Sequence, residues 1–348
     1  MNNHFRFVTA KDPHYNFGFR DNIRFNRNEQ VKEKMKFKKD YMHKNNINDL
    51  FYTGDVFDSN EIEKWSFKKY LETKKEFEKF SKGIDIWSNM GNHDFFYGFE
   101  DSTETIFEEM VDQGYLNYLK NKPFIKELDG AKIMIFGIDY SHDKENIIGQ
   151  LKNIDDHIES DEPIYKIVIF HSNITVQENE FTDFTYNWLL EKFNTIDMFI
   201  CGHYHLGYDT FIDLNSVMRK VTIINNWNFT RVVRDYETQY DLHTPEFSDI
   251  TINFNKETQS FESVVKVIKV PFVSYERAFK TKLVDLIKET TSSPKDGKFS
   301  FFNEIDLTKL TELGLDKDDK LLEHIGKEKK YNERIIQKAL SYLNEVDL

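Results

Sequence analysis

The chain has 348 residues, and its 39% hydrophobic and 31% charged content describes a folded protein with a sizeable core, which excludes a disordered or membrane-embedded chain. The formal charge of −13 would repel a polyanion if spread evenly, but residues 1–50 hold eleven Lys or Arg against six Asp or Glu, a local +5 that leaves −18 for the rest. The single cysteine, Cys201, excludes an intramolecular disulfide framework; with no apolar run near eighteen residues and no signal-peptide pattern in MNNHFRFVTAKD, the expected location is the cytoplasm.

In chain order, FRFVTA before KDPH, NDLFYT before GDVFD, IDIWSNM before GNHD, AKIMIFG before IDYSHD, YKIVIF before HSN and IDMFI before CGHYH are short apolar runs, each ending in a polar cluster. They predict strands. Charged stretches with three- and four-residue apolar spacing lie between them, as at Ile62, Trp65, Phe67, Tyr70, Leu71, Phe77 and Phe80, and predict helices. This alternation is α/β, and open α/β sheets place their sites at the C-terminal ends of strands. The basic run over residues 20–39 reads either as a positive patch or as a solvated helix face.

After His205 the texture changes. KVTIIN, DITINFN and SFESVVKVIKV predict strands, with NKETQS as a hairpin connection. Residues 271–289 predict a helix and 290–300 a loop or hinge. In YNERIIQKALSYLNEV, Ile335, Ile336, Ala339, Leu340, Leu343 and Val346 share one helical face, which packs on the tail's own small core or on a partner protein. The expected domains are 1–258 and 259–348. Neither a Walker P-loop nor a Rossmann glycine fingerprint is present.

Five clusters after strands gather the residue types of a two-metal hydrolytic centre: Asp12-Pro13-His14, Gly54-Asp55-Val56-Phe57-Asp58, Gly91-Asn92-His93-Asp94, His171-Ser172 and Gly202-His203-Tyr204-His205. Two cations a few ångströms apart need roughly four protein ligands each, one carboxylate being shared, and mixed imidazole and oxygen donors suit Mn²⁺, Fe²⁺ or Zn²⁺. Asp12, His14, Asp55, Asn92, His171, His203 and His205 supply that set. Gly54, Gly91 and Gly202 let backbone approach the metals closely.

The series D-x-H, G-D-x-x-D, G-N-H-D, H and G-H-x-H resembles the calcineurin-like metallophosphoesterase superfamily, over residues 5–255 and with every motif intact. The resemblance implies a four-layer αββα sandwich of two mixed sheets between helices, with a smaller C-terminal α+β capping region over 259–348. It implies two divalent metals, Mn²⁺ first, with Fe²⁺, Zn²⁺ or Mg²⁺ as alternatives. Asp12, His14 and His205 would hold one, Asn92, His171 and His203 the other, with Asp55 bridging and His93 beside the scissile phosphate. Within the superfamily, the Gly54 to Asp58 motif, the strand and turn INNWNFTRVVRDYE and the trailing small domain are similar to the SbcD-type DNA repair nucleases. That similarity implies a DNA exonuclease or endonuclease subunit with DNA and an SbcC-like ATPase as partners, a homodimer as an option, and no membrane. KDPHYNFGFR in the first motif, and NNWN in place of Gly-Ser, depart from that branch. The residue usage, rich in Asn, Lys, Ile and Phe, suits a phage or a low-GC bacterium.

Asp94 is expected to orient His93 or to cap a turn, and Asp58 to support the bridging carboxylate, a neighbouring histidine or a loop. Tyr15, Phe17, Phe19, Phe95, Phe96, Tyr97 and Phe99 could stack on unpaired bases while Arg20, Arg24 and Arg27 meet phosphates, or reflect aromatic abundance alone. Three functions stay open: a DNA nuclease, a phosphatase or small-molecule phosphodiesterase on the same centre, and a metal-binding interaction protein without catalysis.

Overall fold

The computed structural model describes residues 3–15, 27–58, 67–94, 105–120, 122–156, 162–179, 181–205, 207–230 and 244–272. The chain divides into Met1–Lys280 and Thr281–Leu348, and the second unit, with the expected hinge and tail helix, lies outside the described residues, as does the expected capping region beyond residue 272. The expected boundary at 258/259 falls at the connection between two paired strands, β13 (Glu246–Asn255) and β14 (Ser260–Lys269).

The first sheet has the order β14-β13-β1-β2-β3-β4, where β1 is His4–Ala10, β2 Asp49–Tyr52, β3 Asp85–Ser88 and β4 Asn117–Tyr118. The second has the order β11-β12-β10-β7-β6-β5, where β5 is Phe124–Leu128, β6 Ala131–Ile138, β7 Ile164–Ser172, β10 Met198–His203, β11 Phe211–Leu214 and β12 Lys220–Ile224. A small pair, β8 (Ile174–Thr175) and β9 (Phe184–Thr185), stands apart. Strands β1 to β4 run parallel, as do β6, β7, β10 and β12, while antiparallel strands close the β14 and the β11 and β5 edges.

Side chains alternate across a strand, so each central strand feeds two cores. Phe5 and Phe7 of β1 and Phe51 of β2 meet Ile167 and Ile169 of β7 and Met198 and Ile200 of β10 between the sheets. Their neighbours Val8, Ala10, Leu50 and Tyr52 face the other way. They pack against α1 (Arg27–Lys44), α2 (Phe67–Ser81) and α3 (Ile106–Asp112) through Val31, Met35, Phe77, Phe80 and Phe107. Val168, Phe170 and Phe199 pack outward against α4 (Lys144–Asp155) and α5 (Tyr186–Lys192) through Ile147, Leu151 and Leu189. This is the expected αββα sandwich. Among the described residues no helix is long and apolar enough to cross a membrane.

Three lysines in the described half of the basic run are used by the fold itself, while Lys36 is exposed. Lys32 pairs with Glu76 of α2 at 2.7 Å. Lys39 donates to the carbonyls of Lys79 and Phe80 at the end of α2, where a cation complements the helix dipole. Lys38 is fully buried, donates to the Tyr52 hydroxyl at 2.7 Å and lies over the rings of Tyr52 and Phe229. Arg20, Arg24 and the side chain of Arg27 lie outside the described residues.

Candidate metal centre

The C-terminal ends of β1, β2 and β3 from one sheet and of β7 and β10 from the other meet at one end of the sandwich, and every one of the seven expected ligands is there. His171 and His203 are the last or next-to-last residues of strands, and β7 and β10 run in register through them, with Gly202 paired to His171. The other donors sit on loops just beyond strand ends. Asp12, His14, Asp55 and His203 all have left-handed backbone, with φ between 42° and 77°. For residues with a side chain that conformation costs on the order of 1–3 kcal/mol each and persists where the surroundings enforce it. Gly54, with φ of 91°, makes the turn before Asp55; a Cβ there would stand 2.7 Å from His171 Nδ1, and one at Gly91 would overlap the Asp55 carboxylate.

Donor atoms form three groups within 4.8 Å: Asp12, His14 and His205; Asp55, His171 and His203; and His14, Asp58 and His93. Asp55 stands between the first two, with Oδ2 3.3 Å from His171 Nε2 and 3.6 Å from His14 Nε2. Its other oxygen accepts the His93 amide at 2.8 Å. Asn92 Oδ1 lies 3.1 Å from His171 Nε2, beside the second group. Asp12 accepts the His203 amide at 3.0 Å and the Thr53 hydroxyl at 3.2 Å. His171 donates Nδ1–H to the Thr53 carbonyl at 2.7 Å, which leaves its Nε2 facing the donors around Asp55.

The site is electrostatically unbalanced. Burial pushes Asp12 up to about 6 despite His171, with Asp55 adding to the rise. Burial would also raise Asp55, but His171, His14 and His93 outweigh it and hold this carboxyl well below the usual range. Burial lowers His171, yet Asp55 and Asp12 bring it to about 9. Burial and neighbouring imidazoles push His203 down to about 3 and His205 well below its ordinary value, so both are neutral. Two buried carboxylates, imidazoles of which His203 and His205 are already neutral, and an amide oxygen converging from both sheets form a donor set that fits two divalent cations.

His93 donates Nδ1–H to the Asp58 carbonyl at 2.9 Å, and its ring stands edge-on to His14 at 4.8 Å. Burial lowers its pKa, but Asp55, the Asp58 carbonyl and nearby carboxylates leave it raised overall. The Asp58 carboxylate lies 3.7 Å from His14 Nδ1, beside a neighbouring histidine as expected. Asp94 takes the turn-capping alternative. Its carboxylate accepts the amides of Val56, Phe57 and Gly91 at 2.9–3.1 Å, and the group that fixes the His93 ring is the carbonyl of Asp58. Tyr15 is buried against Phe57 and Phe77, which withdraws it from base stacking; the other aromatics named above lie outside the described residues.

Sequence reasoning missed three residues. Lys11 is fully buried beside Asp12 and donates to the carbonyl of Tyr204, between two histidines, and to Asn225 Oδ1 at 2.6 Å. Burial lowers its pKa to about 8. Asn225 in turn donates to the Ile174 carbonyl, and Phe229 N–H donates to the Lys11 carbonyl, so the NNWN segment straps the end of β1 to the histidine loop. The ring of Tyr140 lies 4.9 Å from that of His203, and its hydroxyl is 3.0 Å from His142 Nδ1. The signal for Tyr140 was its place in IDYSHD, after a predicted strand; Lys11 and Asn225 have ordinary sequence surroundings.

A family model described as calcineurin-like phosphoesterase matches residues 12–207. Among curated proteins nothing matches significantly. A solved structure similar to this chain is that of a Staphylococcus aureus protein named as a candidate 5'-nucleotidase, in complex with α-ketoglutarate, with 13% identity, a TM-score of 0.45 and coverage of 81% of this chain and 56% of that one. The chain thus spans little more than half the length of that neighbour.

Proposed function

We propose that this chain, which belongs to the calcineurin-like phosphoesterase family, is a metal-dependent phosphoester hydrolase that cleaves phosphodiesters, with His93 protonating the departing oxygen. When bound, two divalent cations neutralise the phosphoryl oxygens and make water a competent nucleophile near neutral pH. The chain's own residues do the rest. Asp12, His14 and His205 would hold one cation and Asn92, His171 and His203 the other, with the Asp55 carboxylate available to both. The observation that carries the role of His93 is its tautomer, and a substrate panel separates diester from monoester. Its Nδ1–H is committed to a carbonyl, so the ring is held in one orientation and Nε2 is the nitrogen left to face substrate. A poor alkoxide leaving group is the one that benefits from such a donor.

The test is a panel run with Mn²⁺: an aryl phosphodiester, an aryl phosphomonoester, single-stranded DNA and duplex DNA. Diester cleavage is expected, and His93→Ala should reduce cleavage of the DNA diesters, which expel an alkoxide, by about 10²–10⁴ and that of the aryl diester much less, while metal content stays intact. Turnover of the monoester alone would establish the phosphatase reading instead. A metal content that falls together with activity would make His93 a ligand.

The DNA nuclease reading, with an ATPase partner, stands second. Its support is the +5 of residues 1–50, and Lys32, Lys38 and Lys39 of that region are already engaged within the fold. It therefore depends on Arg20, Arg24 and Arg27. Their neutralisation should reduce the slope of log K for DNA against log salt by about 0.7–0.9 per lost phosphate contact.

A further inference from the structure

Ten large hydrophobic residues are exposed among the described residues, and six of them lie on one side of the sandwich. Ile212 and Leu214 are on β11, Val217 and Met218 follow it, and Val264 and Val267 are on β14. Strands β11 and β14 end their respective sheets on the same side, where the hydroxyl of Thr222 on β12 stands 3.3 Å from that of Ser263 on β14. Scattered exposed valines are ordinary, and Val264 and Val267 stand on opposite faces of β14, so what distinguishes this side is the strand edge itself. Strand β14 is ten residues long and pairs with β13 over its whole length. Among the described residues no strand pairs with its outer side, which leaves a row of backbone donors and acceptors at the edge.

We propose that this edge joins two copies of the chain, with β14 pairing antiparallel to β14 of the second copy about a two-fold axis at Val264. Charge selects the register. On the outer face of the sheet Glu262, Val264 and Lys266 succeed one another. With the axis at Val264, Glu262 meets Lys266 of the second copy, Lys266 meets its Glu262, and the two Val264 side chains meet each other. On the inner face Phe261 then meets Val267. Moving the axis one residue either way sets both charges opposite Ser260, Val264 or Ile268 and loses both pairs. A one-residue offset between the strands would set outer against inner faces, which sheet pairing forbids.

The full chain should sediment at twice its 41.7 kDa mass. Lys266→Glu alone, or Glu262→Lys alone, sets like charges opposite each other twice per interface and should weaken association at least about tenfold. The double variant Glu262→Lys with Lys266→Glu should restore the dimer. Val264→Cys should form a disulfide with its own copy on mild oxidation, without interference from Cys201, which is buried. Unchanged turnover of an aryl phosphodiester in each variant certifies the fold, since none of these residues touches the metal centre. A monomeric wild type at all attainable concentrations overturns the proposal and points to another part of the chain, or another protein, as what covers β14. A dimer indifferent to the single reversals, or a double variant that stays monomeric, overturns it as well.

Discussion

The two sheets supply the metal centre in different ways. The second sheet offers His171 and His203 from within hydrogen-bonded strands, so their positions follow from the register of β7 with β10. The first sheet offers Asp12, His14, Asp55 and Asn92 from loops, and those loops are tied by side chains: Asp94 gathers three amides, and Asp12 reaches across to the His203 amide. Donors on strands are held by the sheet, whereas donors on loops need partners of their own, and most of the site's buried polar network lies on the loop side.

Breaking the link between the two halves should have the largest effect. Asp55→Asn keeps the shape but removes the charge that stands between His14 and His171; turnover should fall by at least about 10³, and elemental analysis should find fewer than two metals per chain. On the loop side, Asp94→Ala strands three buried amides and should cost about 3 kcal/mol, read as a lower melting temperature, while Ser172→Ala on the strand side should cost under about 1 kcal/mol. If the two variants melt alike, the contrast fails. Lys11→Met probes the strap between the halves. It leaves the Tyr204 carbonyl and Asn225 without their amine, and calorimetric titration with Mn²⁺ should show about 10–100-fold weaker binding.

The smallest effect lies at the far ends of β2 and β3, where Asp49 sits opposite Asp85. Burial, then Asp85, raises the Asp49 pKa to about 6, with Lys126 opposing. Between about pH 4 and 6 the folded chain therefore holds a proton that the unfolded chain has released, and stability falls as pH rises through that window. Asp49→Asn should gain about 1 kcal/mol at pH 7, discounted for the partial exposure of the group, and the gain should vanish below about pH 4. A melting difference that is flat with pH would remove the like-charge pair as its cause.

The sandwich was legible because its central strands are runs such as YKIVIF, buried on both faces, and the clusters were legible because Asp, His, Asn and Gly end those runs. Among the unforeseen strands, β5 (FIKEL) and β11 (FIDL) are antiparallel edge strands of five and four residues, half exposed and too short for their apolar residues to show a period. The fate of the basic run was hidden for another reason. A lysine at a helical position gives no sign whether its amine will reach water, a neighbouring helix end as Lys39 does, or a ring pair as Lys38 does. Asp94 illustrates the same point at the site: a carboxylate next to a histidine in sequence turned its oxygens to the backbone of another loop.

The left-handed conformations of Asp12, His14, Asp55 and His203 set when the geometry of coordination is established. These residues are bent into place by the fold itself, through the bridge of Tyr15 to Phe57 and the amides gathered on Asp12 and Asp94. Part of the ordering of the site is thus supplied by hydrogen bonds of the fold that do not involve a cation. Chelation and reloading should then be quick and reversible, with the metal-free chain keeping its strand register and losing chiefly resistance to heat.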